Sequence, residues 1–364
     1  MVSFELNEEQ RMMRDSVGAF AREEIRPAAR DADETGAIPA ELIAKAWQLG
    51  LVQGPIPERL GGNGDARSAV SGAIIVEELA WGDLAIALHA LAPQLLAFPV
   101  LESGSDEQRE RHLKRLAGAE FAPATAALME PRWDFDASAF ATSARRDGSG
   151  FALSGRKCLV PLASKADTVL VWAAQENGVG GFLVGRDTPG LKIGEREKNM
   201  GLKALETFEL ELDGVRVGPE ARLGGGGAIN FNRVLSQSRV AMGAMGVGLA
   251  RAAFEYARDY ARERRAFGVP IATKQAVAFM LADMAIEIDA ARLLVWEAAW
   301  HLDRGADSFK ESYLARNYVA AAALKVTDNA VQVLGGHGYI REHPVELWLR
   351  NARGLSAIEG LATV

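Results

Sequence analysis

The chain has 364 residues, of which 49% are hydrophobic and 24% charged, with 41 Lys and Arg against 48 Asp and Glu for a net charge of -7. These are soluble globular proportions, and at about 150 residues per domain they predict two to three domains. They exclude a disordered or collagen-like chain, and the acidic balance argues against a nucleic-acid or anionic-membrane surface as partner. A lone cysteine, Cys158, forms no internal disulfide, and the five histidines show no metal-ligand spacing. Met1-Val2-Ser3-Phe4-Glu5 lacks a basic leader, and Ala85–Leu101, the most apolar stretch, is interrupted by His89, Pro93, Gln94 and Pro99. The expectation is a cytoplasmic protein without membrane insertion.

In chain order, the first third reads as helix. Asn7 with Gln10 forms a capping-box pattern, Met13, Val17, Phe20 and Ile25 follow helical spacing, and Pro27 is expected to stop the run. Pro39 opens a second helix that Gly50 ends. A turn-rich stretch, Pro55–Gly64, precedes helical spacing over Ala69–Trp81 and Glu107–Leu116.

The middle third changes period. Thr207–Leu212 alternates apolar and polar residues as a half-buried strand does, and Asp213-Gly214 predicts a turn into Val215-Arg216-Val217. Asp147-Gly148 predicts another turn before Phe151-Ala152-Leu153, while Thr168–Trp172 and Phe182–Val184 are short β-rich runs. Together they predict a small antiparallel barrel or sandwich over 121–223. Gly224–Gly227 lacks the Lys-Ser/Thr of a phosphate loop and reads as a connection. The last third, 228–364, is helical: Val277, Leu281, Met284, Ile288, Ala291, Val295 and Ala299 make one apolar stripe suited to a bundle or an oligomer interface.

Several motifs together resemble the acyl-CoA dehydrogenase family. Pro57-Glu58 with Gly61–Gly64 is similar to its PEEYGGxG loop, Met129-Glu130-Pro131 to its TEP, and Asn199–Lys203 with Asp213–Val217 to its strand ends. Arg264–Ile271 with Gln275 resembles RxxFGxPIxxxQ, and Gln332–Tyr339 with Glu342–Glu346 resembles QxxGGxGYxxEYPVE. The resemblance covers essentially the whole chain. It implies an N-terminal helical domain over 1–120, a middle β domain and a C-terminal four-helix bundle, in a mainly α chain. It further implies FAD lying across a subunit boundary of a homo-oligomer, dimer or tetramer, and oxidation of acyl-CoA to 2-enoyl-CoA with electrons passed to an electron-transfer flavoprotein.

By the same resemblance, Glu359 in Ile358-Glu359-Gly360 is the base, although taken alone it reads as a solvated carboxylate. Arg264, Phe267, Gln275, Gln332, Gly335 and Gly336 are the FAD contacts, and Arg239 is the Arg of a DxxR that meets CoA, with Ser236 in place of the Asp. The departures gather where the family holds the flavin ring. Arg132-Trp133-Asp134-Phe135-Asp136 replaces a small, glycine-rich run, Leu159 and Pro161 replace a Trp and a Thr, and the family's terminal helix is expected to be absent after Leu361–Val364. An active dehydrogenase, a half-site subunit of a heterotetramer with a homologous chain, and a flavin-free structural homolog all remain open.

Overall fold

The computed structural model describes residues 5–225, 227 and 229–364. The readings at Met1–Phe4, and at Gly226 within the glycine run, lie outside the described residues. The N-terminal part comprises α1 (Glu8–Phe20), a π-helical turn (Ala21–Ile25), α2 (Arg26–Thr35), α3 (Ala40–Trp47), α4 (Ala69–Gly82), α5 (Leu84–Leu91), α6 (Gln94–Ser103) and α7 (Asp106–Leu116). Asn7 and Gln10 do form the capping box. Pro27, however, does not end the first helix. The widened π turn absorbs it, the Arg26 N–H reaching back to the Ala21 carbonyl, so the missing N–H of Pro27 falls early in α2.

The middle part has seven strands: β1 (Thr125–Ala127), β2 (Ser143–Asp147), β3 (Gly150–Pro161), β4 (Thr168–Gln175), β5 (Gly178–Gly185), β6 (Leu191–Arg196) and β7 (Thr207–Val217). They join one sheet in the order β1-β4-β2-β3-β7-β6, with β5 on the other edge of β4. The sheet is mixed rather than purely antiparallel as expected, because β1 and β2 both run parallel to β4. Nor does Asp213-Gly214 turn the chain. β7 runs through it against β3, with a register shift that Gly214 accommodates at φ +61°. The sheet has its own core, including Val160, Val169, Val171, Phe182, Leu210 and Val215, apart from the larger core that joins the two helical parts.

The C-terminal part is α8 (Phe231–Glu263), a two-stranded hairpin β8 (Arg265–Ala266) and β9 (Val269–Pro270), α9 (Gln275–Asp303), α10 (Phe309–Leu334), the short α11 (Gly336–Tyr339) and α12 (Val345–Leu355). The predicted stripe on α9 faces inward, with Met284, Ile288, Ala291, Val295 and Ala299 buried. At Gly248, α8 and α4 approach so closely that a Cβ would lie 2.1 Å from the Glu77 carbonyl oxygen. That contact locks the N-terminal helices onto the bundle, and with them the surfaces that meet at the chain's C-terminal end. Among the described residues, no single helix is long and apolar enough to cross a membrane.

Candidate active site

The segment after α12 is pinned from two sides. Arg316, on α10, donates to the carbonyls of Leu355 and Ile358, the latter at 2.7 Å. Gly360 turns the chain at φ +78°, where a Cβ would press on Leu128 at 3.0 Å. Glu359 is thereby fixed in place: its backbone N–H donates to Met129 Sδ at 3.1 Å, and its Oε1 accepts from Arg239 Nε at 2.6 Å. The Glu359 side chain is 22% exposed, so this is a cleft carboxylate and not a freely solvated one. Arg239 is 6% exposed, lies 4.9 Å from the Phe309 ring and 5.1 Å from that of Tyr313, and keeps a buried Nη1 with no partner. Burial pushes the Arg316 guanidinium down to about 10, against the opposing pull of the Glu359 charge. One carboxylate therefore faces two buried guanidiniums. In this structure Arg239 is engaged with Glu359, 120 residues away, while Ser236 donates to the Asn232 carbonyl and takes no part. Nothing in the motif reading pointed to Arg316, because its role depends on carbonyls from a different element.

Beside Glu359, the Met129-Glu130-Pro131 segment is buckled to the sheet. The carboxylate of Glu130 accepts from the N–H groups of Ala141 and Thr142, both at 2.8 Å, and from Lys157 Nζ at 3.2 Å. Lys157 is fully buried, donates also to the Leu128 carbonyl at 2.9 Å, and sits 4.1 Å from the Phe140 ring. Burial raises the Glu130 carboxyl, but Lys157 and the two amides outweigh it and hold it below the ordinary range. Burial also pulls the Lys157 ammonium down to about 8, against Glu130. The Cys158 thiol, pushed up to about 12 chiefly by burial, is an inert core group.

Of the two aromatics expected near the flavin ring, only Phe135 turns inward, 6.0 Å from Phe140, while Trp133 is 98% exposed. Arg132 braces the segment through the Ala139 carbonyl at 2.9 Å. Leu159 takes a left-handed backbone at φ +53°, its N–H bound by Glu197 at 3.2 Å.

The other candidate residues lie at the far end of α8. Arg264 caps that helix, and its carbonyl accepts the Ile271 N–H at 2.8 Å, closing the β8–β9 hairpin. A cavity of about 340 Å³ is lined there by Tyr260, Arg264, Ile271, Gly335, Gly336 and His337. Gly335 adopts φ +58° with nothing within 4 Å of a Cβ position, so glycine is required by the backbone and the space before it stays open. Arg264, Gly335 and Gly336 thus converge, and a guanidinium over an open glycine turn fits a pyrophosphate. Phe267, Gln275 and Gln332 do not line this cavity. Phe267 is 96% exposed on the hairpin, and Gln275 and Gln332 are exposed on α9 and α10. Nor does Glu359 line it; within one chain the two groups of candidate residues form separate sites.

A helical domain, a mixed sheet and a helical bundle, with a cleft carboxylate near the end of the bundle and a glycine-lined cavity elsewhere on it, are the parts that the resemblance to flavin-dependent thioester dehydrogenases implies. The chain matches the models for the acyl-CoA dehydrogenase N-terminal domain over residues 7–120, the middle domain over 125–215 and the C-terminal domain over 225–364. It belongs to the acyl-CoA dehydrogenase family. It is 37% identical over 374 residues to the probable acyl-CoA dehydrogenase YngJ of Bacillus subtilis, spanning 100% of this chain and 97% of that one. The structure of butyryl-CoA dehydrogenase from Megasphaera elsdenii superposes with a TM-score of 0.88 at 30% identity, covering 100% of this chain and 96% of that one. The prolyl acyl carrier protein oxidase AnaB gives 0.87 at 26% identity, covering 99% and 96%. FAD is the cofactor of this chemistry, and the chain is an acyl-CoA dehydrogenase-type oxidoreductase.

Proposed function

We propose that Glu359 is the base that removes the Cα proton of an acyl-CoA thioester, and that the protein works as a homo-oligomer delivering electrons to an electron-transfer flavoprotein. The observation carrying this reading is the fixed placement of Glu359 between Met129 and Arg239. Thioester conjugation acidifies Cα, and a positioned carboxylate in a cleft takes the proton. Arg239 engages Oε1, which leaves Oε2 as the oxygen that receives it. When bound, FAD supplies the hydride acceptor for Cβ. Arg264, Gly335 and Gly336 of one chain would hold its pyrophosphate and adenosine end, while Phe135, Leu159 and Pro161 of a neighbouring copy would give the ring an apolar seat with no hydroxyl donor. Anaerobic addition of acyl-CoA to the purified protein is expected to bleach a two-banded flavin spectrum. A flavin that no acyl-CoA bleaches would remove this reading, and one FAD per two chains would favour the heteromeric alternative.

The homo-oligomer is supported by the outer face of α9. Phe279, Ile286, Leu293 and Trp300 are all exposed and recur at seven-residue intervals, an apolar line beyond what single exposed residues require. A second copy covering it would bring exposed residues such as Phe267, Gln275 and Gln332 toward a cofactor held by its neighbour. The double variant Ile286→Glu/Leu293→Glu is expected to lower the particle mass seen by light scattering toward that of one chain. An unchanged mass would place the interface elsewhere. We place this enzyme in the cytoplasm, in keeping with its lone, buried thiol.

A further inference from the structure

Two histidines beside the glycine turn take no part in the reaction. His337 lines the cavity with Arg264, Gly335 and Gly336, and His343 does not. The two imidazoles stack nearly parallel, 13° apart in plane and 5.2 Å between centroids. Each is held by a phenol, the two phenols lying one turn apart on α8. Tyr260 Oη is 2.8 Å from His337 Nδ1, and Tyr256 Oη is 2.7 Å from His343 Nδ1. Tyr260 also meets both rings edge-on, each at 5.8 Å. The signature that this segment resembles has Tyr where His343 stands and no fixed residue where His337 stands, so the pair is a feature of this chain.

The charges around the pair are already matched, apart from Arg264 and Glu342. On α8, Asp259 is paired with Arg258. From α2, Arg30 donates to the His343 carbonyl at 3.0 Å and pairs with Glu346 of α12, which Arg350 also holds at 2.8 Å. Between α11 and α12, Arg341 pairs with Asp33 at 3.3 Å, and Glu342 is exposed. The last turn of α10, Val331–Leu334, is uncharged. Each Nδ1 therefore meets a neutral phenol. A hydroxyl donates to a neutral imidazole and, once turned, accepts from an imidazolium, so the pair can gain a proton without losing a hydrogen bond.

We propose that the stacked His337 and His343 make retention of FAD proton-linked. Imidazole is the side chain whose ordinary charge change falls between about pH 5 and 8. Two stacked imidazoliums would repel one another, so the pair gains one charge. That charge stands beside Arg264 and adds to the attraction for a pyrophosphate at the open glycine turn. Because the favoured state binds a proton, the cofactor is held more tightly as pH falls. The inference rests on the placement of FAD at Arg264, Gly335 and Gly336 given above, and adds what regulates its hold.

Dilution of the FAD-loaded protein, with released flavin read by its fluorescence, tests this without turnover. Wild type is expected to bind FAD about fivefold more tightly at about pH 6 than at about pH 8, a gap that narrows as salt is raised. In His337→Gln/His343→Tyr the two affinities should be equal, and at the higher pH the variant should match wild type. Weaker binding by the variant at both pH values would mean that the pair only shapes the turn, and overturns the proposal. So does a wild-type affinity indifferent to pH, or a pH effect indifferent to salt, neither of which depends on how the variant folds. Arg264→Gln separates the two readings. If it weakens FAD binding while pH does not change it, the placement stands and the proton linkage falls. If it leaves FAD binding unchanged, the cofactor is held elsewhere and both fall.

Discussion

Glu359→Gln is expected to keep its FAD and lose its reduction by acyl-CoA, the bleaching rate falling about 10³-fold, within the usual contribution of a positioned base. The substitution is isosteric, and the amide oxygen still accepts from Arg239 Nε, so the segment after α12 stays anchored by Arg316 and Gly360. It removes the negative charge that faces two buried guanidiniums. Because the Glu359 side chain is 22% exposed, the accompanying stability loss is only about 1–2 kcal/mol, well short of the cost of breaking a fully buried pair. Rapid-mixing spectroscopy under anaerobic conditions reads the rate, and the bound-flavin absorbance reads cofactor retention. Bleaching at the wild-type rate would assign the proton to another group. Loss of flavin together with activity would mean that Glu359 shapes the site and does not serve as its base.

Lys157→Met is expected to cost about 3–5 kcal/mol of stability, because it strands the Glu130 carboxylate in the interior. Glu130 is 3% exposed and Lys157 fully buried, so solvent does little to soften the loss. Adding Glu130→Gln should recover most of it, since an amide oxygen still accepts from the N–H groups of Ala141 and Thr142. The pH dependence separates the two variants. The folded protein holds the Glu130 carboxyl below its ordinary value of 4.5, so the native state binds fewer protons there than the unfolded chain does. The stabilisation is complete above about 4.5 and is lost as pH falls through the lower, folded value. Denaturant titrations between pH 3 and 7 should therefore show a steeper acid limb in wild type than in Lys157→Met/Glu130→Gln. Equal acid limbs would mean that the buckle carries no titrating charge.

The architecture was legible because it is written in short-range patterns. Helical spacing, the strict alternation at Thr207–Leu212 and the Asp147-Gly148 turn each depend on residues within a few positions of one another, and each reappears as an element. Two local rules failed where a neighbour changed the geometry. Pro27 was tolerated because a π turn precedes it, and Gly214 became a bulge because β3 continues past it as a partner. The long C-terminal motifs likewise singled out Arg264, Gly335 and Gly336, which do meet around one cavity. They also singled out Phe267, Gln275 and Gln332, which lie outside it, and no spacing rule distinguishes the two sets.

The amino-acid sequence by itself determined the order of the three parts, the family, and with it the cofactor and the class of reaction. What only the tertiary structure decided is how charge is paired. Arg239 with Glu359, Arg316 with the carbonyls after α12, and Lys157 with Glu130 join residues 27 to 120 positions apart. The physical reason is common to all of them. Periodicity records which face of an element is buried, whereas the partner of a buried charge is selected by desolvation, which charges heavily for any ion left alone and is settled only when distant segments close on one another.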